Sequence, residues 1–148
     1  MANRYLVGGG TGNWNSTTNW SDTDGGAGGF SFPTVADAVF LTAASGAINL
    51  TVNVTSACLS FNCTGFTGNL TMTAGLSASG SVTLSASMTV SGSGSLSVLT
   101  NSTITSNGLV WPNILVLSGQ VTHTLGDAWV CNALTLGVQP VAVDSSRL

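Results

Sequence analysis

The chain has no lysine and no glutamate. Its basic residues are Arg4 and Arg147 and its acids are Asp22, Asp24, Asp37, Asp127 and Asp144, so charge accounts for 5% of 148 residues, where soluble domains ordinarily carry about a quarter. Two arginines at opposite ends of the sequence give no cationic footprint for phosphate, which excludes nucleic-acid binding through a basic groove. No run of 18 apolar residues occurs, so no membrane-spanning helix is expected. The opening MANRYLVGGG lacks the charged and then apolar regions of a secretory signal. The expected route is synthesis in a host cytoplasm, with release by other means such as assembly into a particle freed by lysis. Cysteine is scarce and odd in number: Cys58, Cys63 and Cys131. That is no disulfide framework, and no cysteine–histidine spacing suggests zinc. Cys58 and Cys63, an odd offset apart, are expected on opposite faces of a straight strand, as small buried apolar residues rather than a disulfide. Sequons at Asn15, Asn49, Asn53 and Asn69 follow from a composition rich in Asn, Ser and Thr. Helical periodicity is missing too: apolar residues nowhere recur at i, i+3, i+4 and i+7 over three turns.

What is present is 43% apolar residues and a mean hydropathy of +0.43, enough for the core of one domain. From Ile48 onward the pattern is short alternation. INLTVNV puts Ile48, Leu50, Val52 and Val54 on one face, and the same reading recurs at Leu70/Met72, Val82/Leu84, Met88/Val90, Leu96/Val98 and Leu134/Leu136, with glycine-containing turns between. This predicts an all-β protein. Two or three inward residues per strand suit one side of a solenoid coil better than the alternative, a β-sandwich strand. A slide of 20 residues lays Leu50 and Val52 on Leu70 and Met72, Leu70 on Val90, and Trp111 on Cys131; a slide of 19 lays NILVL from Asn113 on NALTL from Asn132. With coils about 4.8 Å apart, residues 48–138 are expected to form four or five coils, with Leu, Val, Ile and Met ladders inside and Ser and Thr ladders bonding to water outside.

Such a stack ends in open sheet edges that need covers. Residues 1–47 are the expected cap: Trp14 and Trp20 stand in the turn-prone GGGTGNWNSTTNWSDTDGG, and with Phe30, Phe32, Pro33, Val39, Phe40 and Leu41 they form an aromatic lid. Trp14, Trp20, Phe30, Phe32 and Phe40 are the candidate cap and assembly residues. At the other end 139–148 reads as a tail in which Pro140, Asp144 and Arg147 blunt the stack.

Gly12, Trp14, Asn19, Trp20 and Ser21, followed by Pro33, Asp37, Ala38 and Val39, resemble a G-x-G-x-W-x(5)-N-W-S motif and its Pro and Asp-Ala-Val sequel. That motif opens β-solenoid segments of autotransporter-type adhesins and of many bacteriophage-encoded proteins. The resemblance covers about the first 41 residues, and NILVLSGQVTHTLGDAWVCNALTLG is similar to coils of phage and surface proteins. It implies a structural role on a virion or cell surface. The missing signal and long passenger point to the phage side: a capsid decoration or cement protein, or a tail or fibre component.

Chemistry is thinly supported. Glycoside hydrolysis needs two carboxylates about 5 to 9.5 Å apart, and no Asp falls between Ile48 and Gln120. SDTDGG, with Asp22 and Asp24, begins like a calcium loop but lacks its closing acid, which favours Asx-type turns. His123 shares strand parity with Asp127 and could pair with it. Trp111, Trp129 and Tyr5 could stack on sugars, although the first two sit among apolar neighbours that favour a filling role. No catalytic, metal or cofactor site is expected. The leading expectation is a non-enzymatic virion protein that binds a major capsid or tail protein and forms a homo-oligomer, three copies around a capsid or fibre axis being a natural arrangement. The alternative is a carbohydrate-binding or adhesin module on a virion or an extracellular surface.

Overall fold

A computed structural model describes residues 1–117 and 121–137. The expected tail at 139–148 and the last coil residue, 138, lie outside the described residues. The chain winds into a parallel β-solenoid of five coils, with no α-helix among the described residues. Strands β1 (Asn3–Leu6) and β2 (Thr11–Asn13) start two of its faces, and β3 (Trp20–Ser21) turns back along β1. The first full coil is β4 (Ala38–Phe40), β5 (Asn49–Val52) and β6 (Ser56–Cys58). The second is β7 (Ser60–Asn62), β8 (Asn69–Met72) and β9 (Leu76–Ala78), and the third is β10 (Val82–Thr83), β11 (Thr89–Gly92) and β12 (Leu96–Val98). The fourth keeps β13 (Ser102–Thr105) and a long β14 (Val110–Leu117), and the fifth β15 (His123–Leu125) and β16 (Val130–Leu136).

Three sheets result, ordered β15-β13-β10-β7-β4-β1-β3, β11-β8-β5-β2 and β16-β14-β12-β9-β6, parallel throughout except for β3 against β1. The strands are short because each coil turns a corner after two or three inward side chains. Those side chains stack in register: Val39, Phe61, Val82 and Ile104 in the first sheet, Leu50 and Leu70 in the second, Leu76, Leu96 and Leu115 in the third, all buried. Outside, hydroxyl and amide ladders bond to one another rather than only to water. Asn69 Nδ2 donates to Thr71 Oγ1 (2.8 Å) in its own coil, and Thr89 Oγ1 in the next donates to Asn69 Oδ1 (3.0 Å).

Both repeat lengths in the sequence are real. Trp111 faces Cys131 at a step of 20, Leu115 faces Leu134 at a step of 19, and the register slips between Trp111 and Ile114. The slip coincides with Pro112, which has no N–H for a ladder. There β14 lies beside β11 without pairing to it, the second sheet stops, and one long strand runs on into the third.

The division expected at residue 47 does not mark a change of architecture. β1 pairs parallel with β4, β2 with β5 and β4 with β7, so the leader is woven into the stack before it covers it. Cys58 and Cys63 are both buried and free, as expected, but the opposite-face parity of a straight strand does not apply to them. The corner at Leu59 separates β6 from β7, which lie in different sheets, and resets the parity that a straight strand would carry across.

Leu70, fully buried between Leu50 and Val90, tests this packing. Leu70→Ala should cost about 2–5 kcal/mol in urea unfolding, and a cost under about 1 kcal/mol would mean the rungs do not bear on one another.

Candidate assembly surfaces

At the front of the stack the motif residues hold each other. Gly12 is small because a β-carbon there would overlap the Asn19 carboxamide. Asn19, on the 3₁₀ turn Thr17–Asn19, uses that space to donate from Nδ2 to Asn13 O (2.8 Å), closing the edge of β2. Asn19 O accepts from Val7 N (2.8 Å). Trp20 Nε1 donates to Trp14 O (2.7 Å), and the indoles meet edge to face at 5.1 Å, with Trp14 leaning on Phe61 at 6.3 Å. Trp14 Nε1 has no acceptor among the described residues, so packing alone holds that ring. Ser21, buried, accepts from Thr23 N (3.2 Å) and starts the turn over the lid.

The lid is tied at its sides. Arg4 stands at the inner-ladder position beside Val39, where its guanidinium reaches Ser31 O and Ser31 Oγ, both at 2.8 Å. Asp37, buried, accepts from Thr34 N (3.0 Å) and Thr34 Oγ1 (2.7 Å). Burial pushes its carboxyl upward, but the Thr34 bonds, the Arg4 charge and the Ala2 backbone outweigh it and hold the group below the ordinary carboxylate value. Asp22 accepts from Thr23 Oγ1 (2.9 Å), and Asp24 accepts from Thr42 Oγ1 (2.6 Å), so both acids of SDTDGG serve turns. Among the described residues no group of three His, Cys, Asp or Glu side chains could hold a metal ion.

Of the five aromatic cap candidates, only Trp14 and Trp20 lie under the lid. Phe30 and Phe32 are 40% and 42% exposed, with Val35 beside them in sequence also exposed. Phe30 N donates to Trp20 O (3.1 Å), so its backbone closes the edge of β3 while its ring is left outside. Phe40 alternates outward from Val39 and stacks on Tyr5 at 4.9 Å.

The far end is built differently. Trp111 and Trp129 are buried, the latter donating from Nε1 to Ile104 O (3.2 Å), so no indole of the chain is available to a sugar and Tyr5 lies on Phe40 instead. His123 and Asp127 are not paired. His123 Nδ1 lies 3.1 Å from Ser102 Oγ, while the Asp127 carboxylate accepts from Ser106 N (2.8 Å), Ser106 Oγ (3.0 Å) and Asn107 N (2.5 Å). Asp127 thereby secures the preceding coil's turn, where Asn107 has a positive φ. Burial pushes the Cys58 thiol up to about 12 and the Cys63 thiol well above its usual range, while Cys131 is only partly buried.

Large exposed apolar side chains fall into two groups. Met1, Phe30, Phe32, Val35 and Val54 belong to the front, Leu99, Val110, Ile114, Val130 and Leu136 to the distal coils, and none lies in residues 55–98. Val110 and Val130 face each other across β14 and β16 at 60% and 58% exposure. The sequence pointed to the front through its tryptophans but not to Phe30 and Phe32 as exposed, nor to this distal patch. An outward valine on a strand carries no signal apart from the parity of its neighbours. No family model, curated protein or solved structure matches the chain in comparisons of sequence and fold.

Two measurements test the lid. Gly12→Ala should destabilise the wild-type background by about 1–3 kcal/mol through overpacking and cost much less beside Asn19→Ala; equal costs in both backgrounds would separate the two residues. Asp37, with its folded pKa lowered, contributes stability that is complete above the ordinary value of 3.8 and is lost as pH falls through the lower folded value. Asp37→Asn should therefore weaken the fold at neutral pH and flatten its loss in acid, and an unchanged acid profile would clear Asp37 of that role.

Proposed function

We propose that the protein is a non-enzymatic structural component of a bacteriophage particle, a capsid decoration or tail component that acts by protein–protein assembly with a major capsid or tail protein. The observation that supports this is the separation of its surface: large apolar side chains are exposed toward the two ends of the stack, and none of them lies in residues 55–98 between. Monomeric soluble proteins keep such patches few, and contiguous ones mark contact sites. The resemblance of the Gly12 to Val39 motif to phage solenoid leaders favours the virion, although fold alone does not fix a task.

Catalysis is disfavoured because each described carboxylate is engaged by local hydrogen-bond donors: Asp22 by Thr23, Asp24 by Thr42, Asp37 by Thr34 and Asp127 by Ser106 and Asn107. The glycan-binding alternative loses its tryptophan candidates, since all four indoles are buried, and Tyr5, stacked on Phe40, has one ring face already covered.

Mass spectrometry of particles from the encoding phage should find the chain as a stoichiometric component: hundreds of copies for decoration, a handful for tail or fibre. Washing particles in 1 M salt should leave it bound, because little charge is available to be screened. Its absence from particles, or specific binding on a glycan array, would overturn the reading.

A further inference from the structure

The corner between β13 and β14 carries the chain's one Asn-Gly dipeptide, Asn107–Gly108. Both residues have positive φ, 52° and 83°, and Leu109 N donates to Ser106 O (3.1 Å), which makes the corner a type I′ turn. Both are exposed. An asparagine before glycine is open to deamidation: the following backbone nitrogen attacks the side-chain Cγ, a cyclic imide forms as ammonia leaves, and water opens the imide to aspartate or isoaspartate. Water reaches this corner, so the reaction is decided by how the two nitrogens, the attacking one and the leaving one, are held.

Each is held by a different part of the stack. Asn107 Nδ2, the leaving group, donates to Leu84 O (2.8 Å) of the third coil. Gly108 N, the attacking atom, donates to Ser106 Oγ (3.1 Å). That hydroxyl is buried and lies 3.0 Å from both Asp127 Oδ2 and Ala128 O of the fifth coil. Asp127 also accepts from Ser106 N (2.8 Å) and Asn107 N (2.5 Å). The fifth coil therefore fixes the atom that attacks, and the third coil the group that leaves. Among the described residues the fifth coil has a neighbouring coil on one side only, and local opening starts where contacts are fewest. When it lifts, Asp127 goes with it, and the Ser106 hydroxyl and the turn are released.

We propose that Asn107 is a deamidation site gated by the fifth coil: it is closed while Asp127 is docked, reacts when that coil lifts, and its product keeps the coil off. The product is a carboxylate in a place that has no donor for it. Leu84 O loses its partner, and the new charge lies beside Asp127, which already accepts from the main-chain nitrogen of the same residue. Like charges that close disfavour each other, and Arg4, the one basic side chain among the described residues, is bonded to Ser31 at the lid. In the isoaspartate the main chain runs through the side-chain methylene, which lengthens the turn and breaks its geometry. One irreversible event thus parts the fifth coil from the ladder it extends, and only in chains where that coil has opened. The proposal stands apart from the virion reading.

The full chain is incubated in mildly alkaline buffer, folded and in urea, while peptide mass spectrometry follows the amide-to-acid mass gain at each asparagine. Asn107 should react at least about tenfold more slowly folded than unfolded. Asp127→Ala should speed the folded reaction at Asn107 by at least about threefold and leave Asn15, which precedes Ser16 in the lid, at its wild-type rate. If Asn15 speeds up as well, that variant has unfolded as a whole, and Ser106→Ala, which removes the hydroxyl alone, decides in its place. For the product, Asn107→Asp is set against Asn107→Gly: both lose the Leu84 bond, and only the first gains charge. Hydrogen exchange at Gly126 N, which donates to Ile104 O (2.8 Å) across the coils, should be at least about tenfold faster in Asn107→Asp. Equal folded and unfolded rates at Asn107, or no response to the deciding variant, overturn the gate. Equal exchange in the two variants at position 107 overturns the claim that the product holds the coil away.

Discussion

The structure depends on the registration of one coil upon the next. Parallel pairing sets each backbone turn about 4.8 Å from its neighbours, and at that spacing Leu76, Leu96 and Leu115, or Val39, Phe61, Val82 and Ile104, cover one another with no contribution from a second layer. Every interior rung is therefore satisfied from above and below, and an end rung is always one neighbour short. Gly92 shows how tightly the rule is applied: its positive φ and lack of a side chain let the corner of the third coil press onto the Met72 carbonyl. With so little charge available, the outer faces obey the same logic. The Asn69, Thr71 and Thr89 side chains bond within and between coils, so the polar ladders add coherence along the stack as well as wetting it.

The front end solves the missing-neighbour problem with residues that only make sense together. Gly12 vacates the space that Asn19 fills, Asn19 turns the chain so that Trp20 arrives under Trp14, and Trp14 lies over Phe61. Arg4 occupies the place where another apolar rung would stand, and its guanidinium is carried out to Ser31. A charged residue at that point ends the apolar ladder, since extending the stack would take its guanidinium out of water.

Much of this was legible in the residues because a stacked coil writes its period directly into the chain. Steps of 20 and 19 are both present, and the slip between them falls beside Pro112, where one sheet gives out. The tryptophans of the leader were legible for a similar reason: an indole in a turn-rich stretch has to be buried somewhere. What could not be read depended on corners. Cys58 and Cys63 sit across one, at Leu59, and parity does not survive it. Phe30 and Phe32 lie in a loop with no periodicity, so their apolar character resembled lid material although their rings are exposed. Strands β1 and β2 were hidden because their partners, β4 and β5, follow after a long excursion and because Gly12 gives no inward side chain to count. Asn19 was visible as part of a motif, but only the overlap with Gly12 reveals its work.

The two ends therefore differ in kind. At the front, the backbone edge is consumed by a short antiparallel strand, an amide and a loop, while phenylalanine rings remain on the outside, so any contact there is made by side chains on a closed surface. At the back, the outer ladder runs through Ser77, Ser97 and Val116 to Thr135, the interior ladder arrives at partly covered leucine, and β16 runs for seven residues without a charge. Side-chain patches of the first sort tolerate many partners and orientations. A strand edge accepts only extended backbone, in a register set by its inward residues. The two ends of this solenoid thus present different chemistry to a neighbour, a strand edge at the back and exposed aromatic side chains on a closed backbone at the front.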